Sequence, residues 1–176
     1  MILPNGVMLL GVNMLFVAAV LYIIALNLQG KVGLKETAAM CILTGLVNNI
    51  SGFYNGFAMG DTATMAASFL FGFTYWLFAF NILTKTETYT GLGNYCLFVV
   101  LTAIAYFIVN IQSGAWVLAV FWFLWGQLWA AFWVANGLKK NLGAFLAFDT
   151  YIVAIINFLV ALAFIFGWMT PKGFVN

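Results

Sequence analysis

Trp122, Trp125, Trp129 and Trp133 follow one another at spacings of three, four and four through a segment without charge, which puts four indoles on one face of one helix. Phe71, Tyr75 and Phe78, spaced four and three, repeat the design earlier in the chain, where FLFGFTYW reads like the FLWGQLW of Phe123–Trp129. Rows of rings offer flat, polarizable surface and N–H or O–H handles. That is the chemistry of lining and recognition, and the two rows are read as facing helices.

Bond-breaking chemistry has few means here. The chain holds no histidine and only four Asp or Glu residues, and its serines are Ser51, Ser68 and Ser113. Neither a Ser-His-Asp triad nor a histidine metal site can be assembled, so no enzyme, metal or cofactor is expected. There is no phosphate-binding loop and no dinucleotide fingerprint. Six lysines scattered through loops make no patch able to neutralise a row of phosphates, so nucleic acid is not an expected partner.

The elements that must carry the rings follow from composition. With 66% hydrophobic and 6% charged residues in 176, the chain cannot clothe a soluble domain. It reads as an all-α integral membrane protein, a bundle of six transmembrane helices forming one domain, residues 1–176. A span needs about 20 apolar residues to cross about 30 Å of hydrocarbon, and six such stretches are expected at 7–28, 37–58, 63–83, 94–111, 116–138 and 144–168. Met1–Leu10 carries no lysine or arginine, so the first stretch is read as a retained span and not a signal peptide. Lys31, Lys35, Lys85, Lys139 and Lys140 fall in the loops after spans one, three and five, against Lys172 alone opposite. The positive-inside bias makes those loops cytoplasmic and both termini extracytoplasmic, in a multi-pass protein of the cytoplasmic membrane. Spans three and five then run parallel, with their aromatic rows at matching depth.

Each feature also has a plainer reading. Trp116, Trp168, Tyr54, Tyr89 and Tyr95 lie near span ends, where an interfacial belt accounts for them. Trp125 lies roughly 14 Å along its helix, near the midplane, where an indole N–H wants a partner; a tightly packed interior and a wetted conduit both fit. Gly52, Gly56 and Gly60, with Gly45 and Asn49 on nearly the same face, read as a close helix contact within or between subunits. Asn48, Asn49, Asn81, Asn110, Gln127, Asn136 and Asn157 read as interhelical glue. Asn81 and Asn136, about two turns beyond the aromatic rows, also suit a polar exit vestibule. Asp149, early in span six, is the one candidate intramembrane acid and is shallow enough to snorkel or cap. Cys41 and Cys96 read as small apolar side chains.

The segment FLFGFTYWLFAFN at Phe69–Asn81, WFLWGQLW at Trp122–Trp129, and Lys139 with Leu142 and Gly143 downstream resemble the AmiS/UreI family of urea channels and short-chain amide transporters. The turn bearing Lys31, Val32, Lys35, Thr37, Ala38 and Met40 is similar to that family's first loop, and the resemblance covers nearly the whole chain. It implies a six-helix bundle assembled as a hexameric ring, one pore per protomer, with membrane lipid in the central hole. It also implies a bacterial plasma membrane and a functional link to a cytoplasmic urease or amidase. By resemblance the pore lining is Met14, Val17 and Leu21 from span one, Phe71 and Tyr75 from span three, and Trp122, Trp125 and Trp129 from span five. The family's acid-gated member has a long histidine-bearing outer loop; here that loop is short, around Asp61, with no histidine to titrate. The family's glutamate in span six aligns with Val153, and Asp149 stands one turn earlier.

The expected function is passive permeation of urea or small neutral amides through a narrow aromatic slot, without histidine-based acid gating. A proton- or cation-coupled amide transporter, with Asp149 as its handle, is one alternative. A non-transporting membrane scaffold, in which the same aromatics are packing, is the other.

Overall fold

Where hydrocarbon supplies no hydrogen-bond partner, an apolar run satisfies its own backbone by winding into a helix. The computed structural model describes residues 5–175; residues 1–4 and 176, on which the expectations for the leader and the termini partly rest, lie outside them. Six long helices carry the described chain: α1 Asn5–Leu28, α2 Leu34–Phe53, α3 Thr62–Leu83, α4 Thr90–Gln112, α5 Trp116–Phe132 and α6 Ala144–Ile165. Single π-helical turns at Tyr54–Ala58 and Trp133–Gly137 continue α2 and α5. Five helical stretches, Gly6–Leu28, Thr62–Leu83, Thr90–Gln112, Trp116–Gly137 and Ala144–Ile165, are long and apolar enough to cross a membrane.

α2 is not among them, and its side chains say why. Thr44, Asn48 and Ser51 interrupt its apolar run and are all buried, while Leu43, Leu46, Ile50 and Phe53 on its other face are exposed. Its polarity points inward.

Side-chain caps and left-handed turns set the helix ends. Asp61 accepts from the Thr64 amide at 2.9 Å and starts α3, and Glu36 accepts from the Gly33 amide at 2.8 Å at the start of α2. The helix expected to run to Trp168 stops at Ile165 instead. Gly167 takes φ 76° there, and the Trp168 amide closes back on the Ala163 carbonyl at 2.8 Å, a six-to-one closure that a residue with a Cβ adopts poorly. The turn launches a two-residue hairpin, β1 Met169–Thr170 and β2 Gly173–Phe174, paired Met169 to Phe174 and Thr170 to Gly173. The Pro171 carbonyl at its tip accepts from the Val117 amide at 3.0 Å, pinning the hairpin to the start of α5.

Each helix packs on its neighbour in sequence, and α6 returns to α1, so the six close a ring. Three glycines of the stripe pack within one chain: a Cβ on Gly52 would meet the Phe69 ring, on Gly56 the Met65 side chain, and on Gly45 the Trp76 indole, all on α3; Gly60 instead turns the chain at φ 69° with open space around it. Outward, the bundle shows Leu101, Ile104, Phe123, Phe148 and Leu159 to its surroundings, an apolar belt suited to lipid and not to water.

Candidate permeation path

Two cavities lie end to end inside the ring. The larger, about 530 Å³, is lined by α1 as far as Val17, by α3 from Ala63 to Phe71, and by α5 from Leu118 to Trp125. The smaller, about 40 Å³, takes over with Leu21 and Ile24, Thr74, Tyr75 and Phe78, and Leu128, Trp129 and Phe132. α1, α3 and α5 therefore run parallel along one axis, each giving a stripe at helical spacing to both cavities. α4 runs the opposite way, with Tyr106, Val109 and Asn110 at the larger cavity and Cys96 and Leu92 at the smaller. The smaller cavity lies towards the lysine-bearing loops after α1, α3 and α5.

Phe71 and Trp125 line both cavities and form the wall between them. Their rings meet edge to face, centroids 4.7 Å apart at 83°. Phe71 also lies 4.7 Å from Trp129 and 6.2 Å from Trp122, so one phenyl ring touches three indoles. Trp122 stands perpendicular to Trp125 at 5.5 Å and stacks on Tyr106 at 4.2 Å and 12°. Such contacts each add about 0.5–1.5 kcal/mol beyond burial and fix ring orientation.

The Trp125 indole N–H has its partner. Trp125 Nε1–H donates to Asn157 Oδ1 on α6 at 3.3 Å, while Asn157 Nδ2 is held by the Val153 carbonyl at 3.0 Å. Asn157 is fully buried. This bond turns the Trp125 N–H towards α6 and leaves ring carbon facing Phe71.

Every residue of the expected lining borders one of the two cavities: Met14, Val17 and Trp122 the larger, Leu21, Tyr75 and Trp129 the smaller, Phe71 and Trp125 both. Trp133, the last of the indole row, does not; it sits in the π-turn against Gly137. Asn81 is buried and Asn136 Nδ2 donates to the Phe132 carbonyl of its own helix at 3.1 Å, and neither borders either of these two cavities. Asp149 does not border one either. It is half-buried on the seam of α5 and α6, where Oδ1 accepts from Gln127 Nε2 at 3.0 Å and Oδ2 has no hydrogen-bond partner among the described residues. Tyr95, expected in an interfacial belt, ties α4 to α3 through a 3.1 Å bond to the Leu70 carbonyl. Cys41 and Cys96 are both free.

Sequence reading passed over Asn13 and Asn55, gave Ser68 no role, and took Asn48 and Asn110 for interhelical glue, whereas all five border the larger cavity. Asn13, Asn48, Asn55 and Ser68 are buried and border it, beside Asn110 and Tyr106. Tyr106 also donates to the Ala63 carbonyl at 2.7 Å, at the first turn of α3. Asn48 and Asn55 lie seven residues apart, two helical turns, and this spacing was a usable signal. The π-turn that carries Asn55 was not, because one extra residue per turn breaks the wheel on which faces are counted.

Comparisons with known proteins agree with this architecture. The family model described as "AmiS/UreI family transporter" matches residues 9–168. A transporter protein named AmiS2 from Rhodococcus erythropolis is 34% identical over 76% of this chain and 68% of its own length. A protein of Mycolicibacterium smegmatis, named as an amidate substrates transporter, is 30% identical over 74% of this chain and 63% of its own length. Among solved structures, the Helicobacter pylori urea channel superposes with a TM-score of 0.79 in its closed state by cryo-electron microscopy, at 27% identity, covering 91% of this chain and 100% of the other. A crystal structure of the same pathogen's urea channel gives 0.80 at 27% identity, over 91% of this chain and 99% of the other.

Proposed function

The chain belongs to the AmiS/UreI family, whose members are channels and transporters and not enzymes, and from that premise we propose that it is a passive channel for urea or small neutral amides. The observation that carries this reading is the pair of cavities in series along three parallel helices, divided by the Phe71–Trp125 contact. No lysine or arginine lines either cavity, and their one carboxylate, Asp61 at the mouth, is engaged in capping α3.

A small flat solute reaches the larger cavity hydrated and exchanges water for the polar side chains there. It passes the wall edge-on as Phe71 and Trp125 tilt apart, its planar face against ring faces and edges. The smaller cavity, about 40 Å³, has room for roughly three or four waters by the usual measure of 10–15 Å³ each. A hydrated ion meets apolar walls with no compensating charge and is turned back. With no histidine in the chain, flux carries no histidine-dependent response to acid.

The finer architecture follows the same reading. All six helices span, α2 included, since its polar residues are buried, with Asn48 bordering the larger cavity, and its outer face is apolar. The lysine-bearing loops are cytoplasmic, so the larger cavity opens outward and both termini are extracytoplasmic. Six copies form a ring with one pore each, lipid fills the centre, and a cytoplasmic urease or amidase consumes what enters.

Conservative substitution separates this from a scaffold. Tyr75→Phe in the smaller cavity should change urea or acetamide flux while the oligomer survives detergent extraction; loss of assembly with unaltered flux per intact particle would favour packing. A coupled transporter is the second reading, because Asp149 keeps an unpartnered buried oxygen. Flux that collapses with the proton or sodium gradient would establish it, and flux indifferent to both supports the channel.

A further inference from the structure

The larger cavity contains a polar group that its own fold does not use. Asn13, on α1, is 5% exposed and borders that cavity; its Oδ1 is occluded in the observed rotamer and has no hydrogen-bond partner among the described residues, and a turn about the soft, two-fold χ2 of the amide presents that oxygen to the cavity. A leucine would fit such a place without leaving a buried carbonyl unpaired, so the amide is a standing cost unless something else completes it.

Its neighbours across the cavity point to what does. Asn48 Nδ2 donates to the Thr44 carbonyl at 3.0 Å and Asn110 Nδ2 to the Tyr106 carbonyl at 2.8 Å, each back to its own helix four residues earlier. With the nitrogen so engaged, the function left to each side chain is mainly that of a carbonyl acceptor. Asn157 shows the consequence within the same bundle: its Nδ2 makes the identical backward bond to Val153, and its Oδ1 takes the N–H of Trp125. The cavity therefore gathers amide acceptors from α1, α2 and α4, with the stacked Tyr106–Trp122 pair bordering the same space.

We propose that Asn13, with Asn48 and Asn110, forms a site that reads the N–H groups of a primary carboxamide or urea before it reaches the Phe71–Trp125 wall. The site deepens the channel reading and rests on it. Solutes with an unsubstituted NH2 complete the Asn13 carbonyl, N-alkylated amides complete it less well, and carboxylates bring a second acceptor where a donor is needed. Selectivity is then set by donor count in the larger cavity as well as by ring spacing at the wall.

Acetamide and N-methylformamide are isomers of one size that differ by a single N–H, which makes them matched probes. In liposomes holding the full chain, with the rate in empty vesicles subtracted, wild type should pass acetamide faster by about 3- to 30-fold, a range in keeping with a modest polar discrimination. Asn13→Leu should bring that ratio to within about twofold of one while raising thermal stability, because the unpaired carbonyl is gone. Asn48→Leu repeats the comparison from α2 and stands in for Asn13→Leu if that variant does not assemble. An unchanged ratio in assembled variants overturns the site and leaves the channel intact. Passage of neither isomer through wild type overturns the channel reading, and the site with it.

Discussion

On either side of the Phe71–Trp125 contact the same three parallel helices build two unlike rooms. The larger is about 530 Å³ and walled in part by Asn13, Asn48, Asn55 and Ser68; the smaller is about 40 Å³ and is lined mostly by carbon, its polar groups being those of Thr74, Tyr75, Cys96 and the indoles of Trp125 and Trp129. The turns of α1, α3 and α5 that supply both are continuous, so the difference arises from residue choice along them and from α2 with its π-turn, which adds Asn48 and Asn55 to the larger room alone. Polar groups stand where a solute would still be exchanging water, and apolar ones where it would already be committed. On the proposed reading, recognition and exclusion are separated along the axis by little more than one helical turn.

The comparison is broken most directly by removing the wall. Trp125→Ala merges the two rooms, and glycerol or propionamide should then pass at least about 10-fold faster, with a stability loss of about 3–5 kcal/mol as for other buried Trp truncations; thermal unfolding in detergent beside vesicle flux measures both. Filling the smaller room comes next. Cys96→Phe places a ring in a space of about 40 Å³, so urea flux should fall about 10-fold or more at a folding cost of about 1–3 kcal/mol. Cys41→Ala, at a buried position outside both cavities, should leave flux unchanged.

A finer cut keeps the ring and takes its handle. Trp125→Phe removes the donor to Asn157 Oδ1 and should cost about 1 kcal/mol. Adding Asn157→Leu should restore part of it, and a double-mutant cycle reads the coupling. Asp149→Asn should do least: with Asp149 off both cavities and held by Gln127, flux should change less than about twofold and stay flat with pH. A shift in pH profile would assign that carboxylate a place on the path.

Much of this was legible in the chain, for definite reasons. Indoles and phenyls at three- and four-residue spacing survive as stripes because α3 and α5 are regular helices over Phe71–Phe78 and Trp122–Trp129. Asn13 was not legible, since a lone amide beside Met14 in an apolar helix looks like any buried polar residue until its neighbours are known. Asn55 was missed and Trp133 was wrongly counted on the indole face because both lie in π-turns, where helical counting fails. The hairpin after α6 was hidden by Trp168, whose apolar ring extended the expected span past the left-handed Gly167 that ends the helix. Asn81 and Asn136, expected in a vestibule, border neither cavity, because spacing fixes height along a helix better than which neighbour a face meets.

The most direct test is stopped-flow light scattering of proteoliposomes under urea and acetamide gradients, with bilayer sodium current recorded from the same purified oligomer. Passive permeation through the ring-walled path predicts solute influx well above empty vesicles, linear in concentration, unaffected by proton or sodium gradients, and with no sodium current. Influx no faster than empty vesicles from intact protein, or a measurable sodium current, would contradict it.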